Sequence, residues 1–353
     1  MTPYWSALAR DLHPYVPGEQ PRIADLVKLN TNENPYPPSP KALEAIRAAA
    51  NEALRLYPDH EAKALRAALA AYHGVTPENV FVGNGSDEVL AHVFAALLKH
   101  EKPLLFPDVT YSFYPVYAQL TGVVYETVAL DADMRLRIAD YRRSCGAIIL
   151  ANPNAPTSIA HPLGEIAALV ADHADIPVVI DEAYVDYGGE SALPLLAGHA
   201  NILIVRTFSK SRALAGLRVG YALGDAGLIE ALVRVKDSFN SYPLGAPAQA
   251  GALASVEDEP YFQARLKDVI AERERMTGEL AGLGFEVLPS AANFVFARHP
   301  RLAGGDLTAA LRARAVLVRH FAKPRTADYL RITVGAPAQT GRLIQALGEI
   351  VGL

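Results

Sequence analysis

Three polar clusters, each at the end of a short apolar run, hold the residues of this sequence that are best suited to covalent chemistry. They contain Asn154, Asp181 and Lys210, which supply an amide, a carboxylate and an amine. The apolar runs are residues 147–150, 178–180 and 202–205. Such runs are typical of strands buried on both faces, and the segments between them are long enough for parallel crossovers. Because open α/β sheets bind ligands at the carboxyl ends of their strands, we expect the three side chains to form one site.

An amine and a carboxylate in one site suit the chemistry of pyridoxal 5′-phosphate. Lys210 could form a Schiff base with the carbonyl of this cofactor. Asp181 could keep the ring nitrogen protonated, so that the ring accepts electrons. Asn154 and Tyr184 are suited to the phenolic oxygen. A lysine in a loop is more often simply exposed to solvent. The catalytic interpretation of Lys210 depends on the predicted proximity of Asp181.

A glycine-rich turn before an apolar helix is the predicted phosphate site. The turn, residues 83–88, contains Gly85, Ser86 and Asp87. A helix N-terminus offers unpaired N–H groups and the positive end of a dipole. The turn matches neither the Walker pattern nor the dinucleotide fingerprint, so by itself it predicts a well-capped helix at least as strongly. The other two residues predicted to neutralise the phosphate are Ser209 and Arg218.

The motifs at these strand ends resemble those of the fold-type I aminotransferases, which use pyridoxal 5′-phosphate. These motifs are Asn-Pro-Asn-Ala-Pro-Thr at 152–157, Asp-Glu-Ala-Tyr at 181–184, Ser-Lys at 209–210 and Ala-Gly-Leu-Arg at 215–218. More narrowly, residues 14–18, 28–36 and 330–335 are similar to the histidinol-phosphate aminotransferase branch. The resemblance runs along nearly the whole chain in the same order. It is more specific for fold and cofactor than for substrate.

The resemblance implies roles for residues that the motifs alone do not explain. Tyr111 would stack on the cofactor ring, and Tyr57 would reach the cofactor phosphate of a neighbouring subunit. Arg331 would bind the carboxylate of glutamate and, with Arg319, the phosphate of histidinol phosphate. The full set implied to bind substrate is Tyr15, Asn32, Tyr242, Arg319 and Arg331.

The implied reaction is a ping-pong transamination in the histidine pathway. L-histidinol phosphate and 2-oxoglutarate would give imidazole-acetol phosphate and glutamate, with Lys210, Asp181 and Tyr184 as the catalytic residues. The resemblance also implies a homodimer with a shared active site, in which an N-terminal arm crosses to the other subunit. A monomer should then be inactive.

Three other functions remain open at this stage. Aromatic amino-acid aminotransferases and threonine-phosphate decarboxylases share the lysine, aspartate and arginine set. A non-catalytic α/β protein could sense a phosphorylated metabolite, although phosphate binding alone needs no lysine–aspartate pair. The chain departs from the family pattern at Ser158, where glycine is usual, and at residues 211–214, which lack the commoner aromatic side chain.

Composition excludes several classes of protein. With 33 basic and 38 acidic residues the net charge is −5, so no basic excess suggests nucleic acid or an anionic membrane. The lone Cys145 excludes an internal disulfide framework and makes the cytoplasm the default compartment. The N-terminus does not resemble a signal peptide, no apolar stretch is long enough to span a membrane, and no metal-ligand spacing is present.

Alternating helix and strand patterns predict an α/β fold with a mostly parallel sheet sandwiched by helices. With 353 residues, of which 51% are hydrophobic, the chain can build two domains. We predict an N-terminal arm at 1–38, a large cofactor-binding domain at 39–245 and a small α+β C-terminal domain at 246–353, which begins with a linker helix.

Overall fold

The computed structural model describes residues 4–352, which form two sheets with helices on their faces. The strands are β1 Val27–Leu29, β2 Val80–Gly83, β3 Leu104–Pro107, β4 Tyr125–Val128, β5 Ala147–Ala151, β6 Val178–Asp181, β7 Ile202–Thr207, β8 Gly220–Gly224, β9 Glu286–Val287, β10 Phe294–Arg298, β11 Val316–His320 and β12 Tyr329–Thr333. The helices are α1 Ala7–Asp11, α2 Pro40–Ala49, α3 Lys63–His73, α4 Gly85–Ala96, α5 Tyr114–Thr121, α6 Leu163–Asp172, α7 Ala226–Phe239, α8 Ala246–Glu257, α9 Glu259–Gly282, α10 Gly304–Ala313 and α11 Pro337–Val351.

The first sheet has the order β2-β8-β7-β6-β5-β3-β4, and β8 runs in the direction opposite to the other six strands. Successive residues of its central strands point to opposite faces, so that Ile180 and Val179 enter different apolar clusters. The interior strands are fully buried, as their uninterrupted apolar sequences predicted. The predicted α/β class with a mostly parallel sheet is confirmed.

The second sheet has the order β1-β11-β12-β10-β9 and packs against α9, α10 and α11. Its other four strands lie within residues 246–353, the segment that was predicted to be α+β. Its edge strand β1, however, comes from the segment that was predicted to be an arm, and it pairs in parallel with β11. The domain boundary at residue 245 stays a prediction. Helix α8, just beyond it, packs closely on α2, since a Cβ added at Gly251 would lie 2.6 Å from Ile46.

The N-terminal segment contacts the rest of the chain through residues of two helices, and its crossing to another subunit stays a prediction. The His13 amide donates to Gln119 Oε1 at 2.9 Å, and Arg312 pairs with Glu19 at 2.8 Å. These contacts carry Tyr15 to the cleft of the same chain. Within residues 4–352, no helix is both long and apolar enough to span a membrane.

Local backbone and side-chain contacts set the bounds of two helices. Helix α4 begins at Gly85, four residues earlier than its apolar pattern, because φ of +76° at this glycine lets the chain turn directly from β2 into the helix. Helix α2 ends at Ala49, since the Asn51 side chain accepts from the Ala53 amide and starts a separate 3-10 turn. The crossover from β6 to β7, which the sequence analysis found just long enough for parallel strands, contains two 3-10 turns.

Candidate active site

One cleft between the two sheets brings together most of the predicted site residues. It lies at the carboxyl ends of β5, β6 and β7, and Asp181 and Lys210 both line it. The structure therefore meets the main geometric requirement of the cofactor hypothesis. The other predicted residues that line the cleft are Tyr15, Asn32, Ser86, Asp87, Tyr111, Tyr184, Ser209, Arg218, Arg319 and Arg331.

Asp181, the last residue of β6, is held in place by two hydrogen bonds. Its Oδ2 accepts from the Tyr114 hydroxyl at 3.1 Å, and its Oδ1 accepts from the Ala183 amide at 3.1 Å. The side chain is 5% exposed. Burial raises the pKa of Asp181 to about 6, although both hydrogen bonds oppose this change. A cationic group in the cleft would stabilise the carboxylate, as a protonated ring nitrogen would.

Lys210 lies just past the end of β7 and points into the cleft. Its Nζ donates to the Thr31 carbonyl at 3.3 Å and lies 5.8 Å from the centre of the Tyr184 ring. The Tyr184 hydroxyl accepts from Asn32 Nδ2 at 2.9 Å. Asn32 has φ of +56°, a conformation that asparagine tolerates better than most residues, and Thr333 holds its backbone amide. A contact of substrate with Asn32 would therefore also affect Tyr184.

The N-terminus of α4 and the loop after β7 meet at one corner of the cleft. Arg218 Nη2 donates to Asp87 Oδ2 at 2.7 Å, and its Nη1 donates to Ser209 Oγ at 3.3 Å. The Tyr111 hydroxyl also donates to Asp87, at 3.0 Å. Gly85 has φ of +76°, which favours glycine, and a Cβ added there would lie 2.4 Å from Arg218 Nη2 and displace the guanidinium. The free amides of the first helical turn and the nearby guanidinium suit a phosphate group.

Arg319 and Arg331 are paired across β11 and β12 and present two guanidinium groups to the cleft. Arg319 donates to the Val16 carbonyl at 3.1 Å and so supports the N-terminal segment. Arg331 donates from Nη2 to the Asn30 carbonyl at 2.8 Å, whereas its buried Nε–H has no partner among the described residues. Burial lowers the pKa of Arg331. A buried, partly unsatisfied guanidinium is suited to a carboxylate or phosphate of a ligand.

Besides Gly85, which lies behind Ser86 at the start of α4, three predicted residues do not line the cleft of this chain. Asn154 is buried, and its Nδ2 donates to the Val109 carbonyl and to Thr157 Oγ1, at 3.0 Å in each case. Tyr57 and Tyr242 stack on each other at 4.6 Å between ring centres, and the Tyr57 ring is 83% exposed. Contacts of these residues with a cofactor or substrate stay predictions.

The structure also adds residues that sequence reasoning missed. Tyr114 holds Asp181 from α5, Thr31 accepts from Lys210, and Ala183 offers a small side chain to the cleft wall. Tyr114 could have been noticed because it begins α5 only three residues after Tyr111, whose backbone carbonyl accepts from the Tyr114 amide. Thr31 could not, since its contribution is a backbone carbonyl.

Asp59, His60 and Glu61 place potential metal ligand atoms within 4.8 Å of one another, in an exposed segment before α3. The Asp59 carboxylate instead accepts from the amides of Glu61 and Lys63 and so begins that helix. We assign no metal site to this group.

This fold and this site are those of a pyridoxal-dependent aminotransferase, and the chain belongs to the class I and II aminotransferases, whose family profile matches residues 24–347. Its relatives include histidinol-phosphate aminotransferase 2 of Rhizobium meliloti, which is 65% identical over 351 residues covering 99% of this chain and 100% of that protein. Histidinol-phosphate aminotransferase of Aromatoleum aromaticum is 60% identical over 355 residues, covering 99% and 100%. The crystal structure of histidinol-phosphate aminotransferase from Sinorhizobium meliloti with pyridoxal-5′-phosphate has a TM-score of 0.88 at 26% identity, covering 100% and 98%.

Proposed function

We propose that this protein is a pyridoxal 5′-phosphate-dependent transaminase that converts L-histidinol phosphate and 2-oxoglutarate to imidazole-acetol phosphate and glutamate. The observation that carries the proposal is that Lys210 and Asp181 line one cleft, which Arg319 and Arg331 also line. The names of relatives that match essentially the full chain at 60–65% identity support the substrate.

The residues present fit the cofactor at each of its polar groups. Asp181 would hold the ring nitrogen, Tyr184 the phenolic oxygen, and the first turn of α4 with Ser209 and Arg218 the phosphate. Burial makes the Asp181 carboxylate costly to ionise, as its raised pKa shows, and a cationic ring nitrogen would relieve this cost. The bound cofactor supplies an electron sink conjugated to the substrate Cα.

The chain's own residues account for the rest of the reaction. Lys210 Nζ lies in the cleft, where it can move the proton that leaves the substrate Cα. Arg331 would bind the carboxylate of glutamate or, together with Arg319, the phosphate of histidinol phosphate, since a guanidinium fits both groups. The cleft therefore serves two substrates in turn, as a ping-pong reaction requires.

Side-by-side rates for histidinol phosphate, phenylalanine and tyrosine as amino donors to 2-oxoglutarate test the substrate. We expect kcat/KM to be highest for histidinol phosphate by about tenfold or more, since each charged hydrogen bond to a phosphate contributes about 1.5–3 kcal/mol. Comparable rates with phenylalanine would indicate an aromatic amino-acid aminotransferase. Release of carbon dioxide without a keto acid would indicate a decarboxylase.

Replacing Arg319 tests the phosphate assignment within the same set of donors. In Arg319→Met we expect kcat/KM for histidinol phosphate to fall about 10- to 100-fold and kcat/KM for phenylalanine to change less than about threefold. Arg312→Met is the matched control, because Arg312 also tethers the N-terminal segment, through Glu19, but does not line the cleft. Equal losses for both donors would contradict a phosphate-specific role.

The proposed active enzyme is a homodimer in which Tyr57 of one subunit completes the site of the other. An exposed aromatic ring with no role in its own cleft supports this proposal.

The location in the cytoplasm also stays a prediction.

Mixing two inactive variants tests the shared site. We expect Lys210→Ala and Tyr57→Ala each to lose most activity alone. A mixed dimer would contain one site with both native residues, so random exchange of subunits should restore about a quarter of the wild-type rate. Mixing Lys210→Ala with Asp181→Asn is the control that should restore nothing, since both residues line the same chain's cleft. No gain from the first mixture would contradict sharing.

A further inference from the structure

A buried arginine lies at the carboxyl end of β7, below the turn that carries Lys210. Arg206 is 8% exposed, and its partner Glu182 is 2% exposed. Arg206 donates to Glu182 Oε2 from Nε at 3.0 Å and from Nη2 at 2.8 Å, and it donates to Ser191 Oγ at 2.8 Å. Its Nη1 also lies 3.6 Å from Asp186 Oδ1. The guanidinium does not line the substrate cleft, so any effect on the reaction must act through other residues.

Two acidic partners of Arg206 lie close in sequence to Asp181 and Tyr184, and one of them also contacts the neighbour of Lys210. Glu182 directly follows Asp181, and Asp186 lies two residues after Tyr184. In the turn after β7, the hydroxyl of Ser211, next to Lys210, donates to Asp186 Oδ2. One guanidinium and two carboxylates therefore connect the turns that end β6 and β7.

This connection is rigid for a physical reason. Both Arg206 and Glu182 are removed from water, so neither charge can be left unpaired without a large desolvation cost. Glu182 is further fixed by the Ala192 amide and by Ser191, which donates to Oε2 at 2.9 Å. The pair can therefore hold only one relative placement of the two turns. A displacement of about 1 Å between reacting groups can cost about 10²-fold in rate.

We propose that Arg206 is a positioning residue for transamination, which fixes Lys210, Asp181 and Tyr184 relative to one another through Glu182, Asp186 and Ser211. This inference rests on the proposed function. It assigns to a residue outside the cleft a contribution to kcat that is separate from its contribution to folding.

The test compares Arg206→Met with variants that distinguish a change in active-site geometry from a loss of folding stability. We expect kcat to fall about 10- to 100-fold with KM changed less than about threefold, and the pH midpoint of the bound-cofactor absorption to shift. Arg206→Lys should recover only part of kcat, because an ammonium cannot reproduce the paired contacts of a guanidinium. The double variant Arg206→Met/Glu182→Gln removes both buried charges, so it should regain stability towards urea but not kcat.

Leu232→Ala is the control for destabilisation alone. Leu232 is fully buried in α7, in the apolar cluster on the opposite face of the sheet, so its truncation should lower stability without moving the turns. We expect its kcat and its absorption midpoint to match wild type. Arg206→Met with wild-type kcat, or a double variant that regains kcat together with stability, would overturn the positioning role. A wild-type chain that binds no cofactor would instead contradict the proposed function.

Discussion

Lys210→Ala should abolish both transamination and the covalent attachment of the cofactor. Lys210 is the amine that lines the cleft together with Asp181, and its Nζ lies beside the Tyr184 ring. In the proposed reaction, its removal takes away the nucleophile that binds the cofactor and the base that moves the Cα proton. Proton transfer by a positioned side chain contributes about 10²–10⁴-fold by itself, so we expect kcat to fall by about 10⁴-fold or more.

Borohydride reduction followed by mass spectrometry measures the attachment without any turnover. We expect the wild type to gain the mass of the reduced cofactor on the peptide that contains Lys210, and Lys210→Ala to gain none. Lys28→Ala is the matched control, since Lys28 donates to the side chain of Thr31, whose carbonyl accepts from Lys210. This variant should be labelled like wild type. Labelling of Lys210→Ala at another lysine would contradict the assignment.

The strand ends of this fold were predictable because burial on both faces leaves a clear pattern. Three short apolar runs gave β5, β6 and β7 almost to the residue, and parallel pairing then required their polar ends to meet. The shared cleft of Lys210 and Asp181 was predicted in this way, whereas their roles towards a cofactor stay predictions.

What the sequence did not reveal depends on contacts between distant parts of the chain. Thr31 and Lys210 are 179 residues apart, and the contribution of Thr31 is a carbonyl that every residue possesses. The three residues of β1 are too few to show a strand period, and they are ordered by pairing with β11. The partners of Arg206 are likewise fixed only when β6 and β7 lie side by side.

Asp181→Asn should lose activity and yet make the cofactor-free protein more stable at neutral and alkaline pH. The amide cannot hold a protonated ring nitrogen, so we expect kcat to fall by about 10²–10³-fold, as for loss of one strong electrostatic contact to a reacting system. The carbonyl oxygen of the introduced amide can still accept from Tyr114 or from the Ala183 backbone N–H, and the fold should therefore be kept.

The stability gain follows from the sign of the pKa shift. Burial raises the pKa of Asp181 from 3.8 to about 6 in the folded protein. Its contribution to stability is therefore fully present below pH 3.8 and is lost as the pH rises through 6, where the folded protein must hold a buried carboxylate. The neutral amide avoids this cost, which is on the order of 1–3 kcal/mol above about pH 7.

Urea unfolding of the cofactor-free proteins as a function of pH measures this difference. We expect the unfolding free energy of Asp181→Asn to exceed that of wild type at about pH 8, and the two to converge near about pH 4, where both side chains are uncharged in the fold. Saturating cofactor should reverse the order at the higher pH, because a cationic ring nitrogen stabilises the carboxylate and not the amide. A wild type that stays more stable than the variant at that pH without cofactor would show that the buried carboxylate carries no such cost. The hydrogen bonds from Tyr114 and Ala183 would then be sufficient to stabilise the Asp181 carboxylate without a cation.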